Sequence, residues 1–138
     1  GFEILASQEL SAEQIEAGTS QTRGGNWDED GPFENSGGPP AAVIVAYDHE
    51  PLPLTAKQKR KFTTRTNARL FIKEQIRDVI CEQLPPGERF NSLHSSDNAA
   101  DALHLIESLV PELMDEVVAR LTETPRTIPI RQELPQAA

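Results

Sequence analysis

The sequence predicts a mainly α fold, with a small α+β arrangement as the alternative. It would hold two long amphipathic helices, one or two short strands and a disordered acidic N-terminal arm. Three observations carry this expectation. Apolar residues recur at helical spacing over 68–84 and 97–121. A short β-branched run fills 41–47. Residues 1–38 are sparse in apolar side chains and broken by Gly18, Gly24, Gly25, Gly31, Gly37 and Gly38. The domain reading follows: an arm over 1–38, a small helix-rich core over 39–131 and a loose tail over 132–138. Hydrophobic residues are 37% of the 138, below the ~45–50% of an ordinary globular chain, so part of the length is expected to stay unpacked.

In chain order, Ser11-Ala12-Glu13-Gln14 has capping-box spacing and predicts a short helix over 12–17, ended by Gly18. Such a helix is too short to stand alone in water and needs a surface to pack on. Ala41 to Tyr47 reads as a buried strand after Pro39-Pro40, and Pro51 and Pro53 impose an extended step after it. Thr55-Ala56-Lys57-Gln58 repeats the capping-box spacing and starts a second helix near 56. Phe62 to Asn67 is poor in helix formers and predicts a break. Ile72, Ile76, Val79, Ile80 and Leu84 then form one stripe, stopped by Pro85-Pro86-Gly87. Leu103, Ile106, Val110, Leu113 and Val117 form another, and Pro111 kinks or divides that helix. The two stripes are expected to face each other as the core. Ile128 and Ile130 offer a strand beside 41–47. Two helices and one or two strands bury little area, so a second copy is expected as the missing layer and the chain as a homodimer.

Charge is segregated along the chain. Residues 1–54 carry ten acids and one base, residues 55–73 seven bases and no acid, and residues 74–138 twelve acids and five bases, giving −9 in total. The basic block, Lys57, Lys59, Arg60, Lys61, Arg65, Arg69 and Lys73, is the strongest candidate site for nucleic acid or an anionic partner. Arg65, Arg69 and Lys73 would line one face if helical, and Thr63, Thr64, Thr66 and Asn67 add phosphate-contacting groups. Binding of that kind depends steeply on salt and reads little sequence. The plain alternative is a solvated edge that meets acids of the same chain or a partner. Trp27, Asp28, Glu29, Asp30 and Phe33 set two aromatics among acids, the composition of a protein-docking segment. That segment is also expected to fold back on the basic block.

Catalytic constellations are missing. There is no Gly-x-Ser-x-Gly, no His-Glu-x-x-His and no phosphate-binding Gly-x-x-x-x-Gly-Lys. Asp97, Asp101 and His104 share a helical face with metal-ligand spacing, and His94 precedes them. Capping and dipole roles explain the two carboxylates as well, and no fourth ligand is in sight. Cys81 is expected as a packing cysteine beside acids, because a reactive thiolate needs a cation nearby. His49 has no assigned role. One cysteine excludes an internal disulfide and a Cys-rich zinc module. No apolar run reaches the ~18 residues of a membrane span. Residues 1–8 hold no base and no long apolar run, so no signal peptide is expected, and the expected setting is intracellular, cytoplasmic or nuclear. The expectation for function is a non-enzymatic regulatory or assembly adaptor working through protein contacts in a nucleic-acid machine such as transcription, replication or packaging, with no cofactor and no metal. The alternatives are direct nucleic-acid binding through 57–73, or a small metal-dependent enzyme.

Overall fold

A computed structural model describes residues 1–21 and 39–123, and side chains over 1–17 and 39–123. About half of it is helical, in five α-helices, beside a two-stranded antiparallel sheet, so the class is α+β. Strand β1 (Phe2–Glu9) pairs with β2 (Ala42–Asp48), from Phe2 opposite Asp48 to Glu9 opposite Ala42, with a register shift between Ile4 and Ala6. Alternation sets the faces of β2: Val43, Val45 and Tyr47 pack inward and Ala42, Ile44 and Ala46 face out. On β1 the shift turns both Leu5 and Ala6 inward, as a bulge does.

Helix α1 (Ala12–Gln21) starts at the expected box: Gln14 N–H donates to Ser11 Oγ at 3.2 Å and Ser11 N–H to Gln14 Oε1 at 2.9 Å. It finds the surface it needs on α4 (Ala99–Leu109). Asn98 caps α4 by accepting from Asp101 N–H at 2.9 Å. The chain then makes a 3-10 turn (Pro111–Leu113) and enters α5 (Met114–Glu123). Pro111 lacks the N–H that would continue α4, so one long pattern becomes two short helices that wrap the sheet. Leu5, Ala6, Ile106, Leu109, Val110 and Val117 form the core, with Val43, Val45, Tyr47, Leu113, Met114 and Leu121 packed on it. Arg120 donates to the carbonyls of Ile4 and Leu5, fastening α5 to the strand where it bulges.

Helix α2 (Ala56–Lys61) carries the second capping box, with Gln58 N–H donating to Thr55 Oγ1 at 3.3 Å. Residues 62–67 form the expected break. A 3-10 turn (Ala68–Phe71) leads into α3 (Ile72–Glu82). A further 3-10 turn (Pro86–Glu88) opens the connection to α4.

Several expectations are corrected. The sequence places an arm over 1–38, yet residues 2–9 form one strand of the two-stranded sheet and 12–21 a packed helix. Leu5 and Ala6 enter the core, Leu10 packs on it and the ladder to β2 pairs the backbone, none of which a count of apolar residues registers. The helix expected over 68–84 is a 3-10 turn and then eleven residues of α-helix, and the helix over 97–121 is α4 and α5. Strand β2 pairs with β1. Ile128 and Ile130, expected beside it, lie outside the described residues, as do 22–38 and the tail 132–138. No described helix is long and apolar enough to cross a membrane.

Candidate functional site

Helix α3 is oriented against its own amphipathicity. At 3.6 residues per turn, Ile72, Ile76, Val79 and Ile80 fall within an arc of about 100°. Yet they are 45%, 39%, 62% and 44% exposed. The neighbouring face, Lys73, Arg77 and Cys81 at i, i+4 and i+8, is the buried one. The expected meeting of this stripe with that of the following helix does not occur. Helix α4 instead gives Ile106 and Leu109 to the core with Leu5, Ala6 and Val117. What α3 meets instead is the segment after it. Arg77 Nε donates to the carbonyl of Leu93 at 2.7 Å, and Cys81 Sγ to that of Phe90 at 3.3 Å. Each buried donor thus has an acceptor, which burial requires. Burial holds the Arg77 guanidinium below its ordinary basicity, with Arg65 acting in the same sense and Glu74 opposing. Gln75, Glu74, Asp78 and Glu82 are exposed.

The basic block divides in two. Lys57, Lys59, Arg60 and Lys61 all lie on or at the end of α2 and are exposed. The other three point into the molecule. The Arg65 guanidinium lies 4.5 Å from the ring centres of both Phe62 and Phe71, with its Nε 3.6 Å from Asp97 Oδ1. Thr64 Oγ1 donates to the other oxygen of Asp97 at 2.5 Å. Arg69 pairs with Asp48 at 3.1 Å and Glu50 at 3.7 Å and lies 5.3 Å over Phe2. Lys73 is buried on α3. The single helical line expected from Arg65, Arg69 and Lys73 is therefore not formed: they sit in a break, a 3-10 turn and an α-helix, and each is occupied internally. Phe62, offered as a base-stacking ring, instead stacks on Arg65 and meets Phe71 edge-on at 5.1 Å.

Asp48, 8% exposed, marks how firmly this inner network is held. Burial would raise its pKa. The Asn67 side-chain amide at 2.8 Å, the Glu50 N–H at 3.0 Å and Arg69 outweigh that, and the carboxyl sits below its ordinary 3.8. The carboxylates proposed for metal are drawn into capping: Asp101 Oδ2 accepts from Asp97 N–H at 2.9 Å, and Asp97 serves Thr64 and Arg65. His104 is exposed on α4. Among the described residues no three of His, Cys, Asp and Glu are placed to hold a metal ion. Cys81 is 1% exposed, a packed thiol. His49 meets Glu3 at 2.7 Å and stands edge-on to Tyr47. Trp27, Asp28, Glu29, Asp30 and Phe33 lie outside the described residues. Sequence reasoning missed Arg77 and Asp97 as the anchors of the inner network. The spacing of Lys73, Arg77 and Cys81 was the available signal for a second, competing helix face. Comparison of the chain with protein-family models, with curated proteins and with solved structures finds no match, so these surfaces stand on their own chemistry.

Proposed function

We propose that the protein is a non-enzymatic regulatory or assembly adaptor that works through protein–protein contacts. One observation carries the reading: α3 exposes its whole apolar stripe while burying two cations. Full burial of an aliphatic side chain stabilises by about 1.5–3 kcal/mol, so each half-exposed Ile or Val forgoes on the order of 1 kcal/mol that a partner surface would recover. A clustered apolar face of this kind marks an interaction site, whereas scattered exposed residues do not. The acidic aromatic segment Trp27, Asp28, Glu29, Asp30 and Phe33 belongs to the same reading as a second docking element, on composition alone. Self-association as a homodimer is part of it. A photo-crosslinking residue at position 79 of the full chain, expressed in cells, tests it against the same residue at position 107 on exposed α4. Protein adducts formed from 79 and not from 107 are expected. Equal or absent crosslinking from 79 would remove the contact role of α3.

A second reading, direct nucleic-acid binding, is favoured by α2, whose four exposed cations stand with no acid on the helix. They also support a nucleic-acid machine as the setting. The site is then Lys57, Lys59, Arg60 and Lys61 alone. Oligonucleotide affinity should fall steeply with salt, and Lys59→Glu with Arg60→Glu should abolish it while leaving the fold intact. An affinity insensitive to both salt and these reversals would exclude it.

A further inference from the structure

We infer that the occupant of the α3 stripe is a second copy of this chain, its α3 lying antiparallel across a two-fold axis near Arg77 and Asp78. This rests on the reading of α3 as a contact surface and names the partner. Two features of the helix favour its own copy. The first is self-complementarity of the apolar stripe. A two-fold axis at that level sets Ile76 against the partner subunit's Val79 and brings Ile72 within one helical turn of the level of the partner subunit's Ile80, so the four side chains share one seam. The second lies at the border of the stripe. Antiparallel two-fold pairing brings like border to like border, which would penalise a uniformly acidic edge. Here Gln75 and Glu82 share that border seven residues apart, two turns along the helix. The axis places Gln75 beside the partner subunit's Glu82, an amide facing a carboxylate, and does so twice. Glu74 and Asp78 fall farther round the helix, outside the seam. The same acids disfavour the other occupants: Glu74, Asp78 and Glu82 repel a phosphate backbone or an anionic lipid surface.

Magnitude sets the character of the dimer. An eleven-residue helix is about 16 Å long, and one such pair buries less than the ~1,200 Å² at which standard stable interfaces begin. The association is therefore weak and concentration-dependent, and free chains are present at low concentration.

Sedimentation velocity on the full chain, from low micromolar to several hundred micromolar, tests this. The expected result is a mass that rises from one chain toward two. Ile76→Glu should hold the chain at one mass across the range with an unchanged circular dichroism spectrum. Gln75→Lys, an exposed position that does not threaten folding, should tighten the dimer several-fold by pairing with the partner subunit's Glu82, and Gln75→Glu should loosen it. A chain that stays monomeric throughout would overturn the inference, as would a dimer indifferent to the sign of charge at 75. Crosslinking from position 79 to a different protein by a monomeric chain would overturn the dimer and leave the contact role of α3 standing. The absence of any crosslink would overturn both.

Discussion

Asp48 shows at the scale of one residue how this protein uses charge inside a small fold. Its carboxylate closes the end of β2 onto the segment before α3 through Asn67 and Arg69. The folded-state pKa is lowered, so the unfolded chain binds the extra proton and stability rises with pH across that interval. The contribution is fully present above the ordinary carboxylate pKa near 4 and is lost as pH falls through the depressed value. Glu112 acts in the same sense, its pKa lowered by the Gln8 amide, with its own N–H and the Gln14 amide adding to the effect. Asp48→Asn should cost about 1–2 kcal/mol at neutral pH, the scale of hydrogen bonds to a charged group, and less at pH 3. Urea unfolding at both pH values checks this. An equal loss at both would show that the ionised form of Asp48 contributes nothing special.

At the scale of elements, the instructive case is β1. Sparse apolar residues and the glycines over 18–38 make all of 1–38 read as an unstructured arm. The apolar residues of β1 nonetheless arrive at the two ends of a bulge, and Leu5 is 2% exposed whereas Ile4 is 59% exposed. Leu5→Ala should therefore destabilise the fold by about 3 kcal/mol, in the range of core leucine truncations. Ile4→Ala should cost well under 1 kcal/mol. Chemical denaturation of the pair checks the assignment, and similar effects from both would mean that β1 is not the inner layer. Helix α3 is the opposite case. Its apolar periodicity was read correctly, but not the direction in which it points. A hydrophobic stripe says which residues belong together and says nothing about what covers them. The acceptors at Phe90 and Leu93 decide which face of α3 meets the body.

At the scale of the whole molecule, the charge segregation of the chain is reorganised by folding. Three of the seven cations of the basic block are consumed within: Arg65 against Asp97, Arg69 against Asp48 and Glu50, and Lys73 on the buried face of α3. What remains for an anionic partner is the short helix α2. Exposed acids flank the α3 stripe at Glu74, Asp78 and Glu82. Two surfaces of different chemistry result, a cationic one on α2 and an apolar, acid-edged one on α3. The proposed contact through α3 would leave α2 open.

From local sequence alone follow both capping boxes, a strand expected over 41–47 and found over 42–48, the break after α2, the division of the last helix at Pro111 and the packed state of Cys81. Each is set by neighbours within a few residues, through side chain–backbone hydrogen bonds, backbone restriction or periodicity. Only the tertiary structure decided that residues 2–9 complete the sheet, that Arg65, Arg69 and Lys73 are spent inside, and that the stripe of α3 faces out. Those outcomes turn on pairings between separate segments, such as Leu5 with Val117, Arg65 with Asp97, Phe2 with Asp48 or Arg77 with Leu93. There, several acceptors and several apolar faces compete, and the assembled chain decides between them.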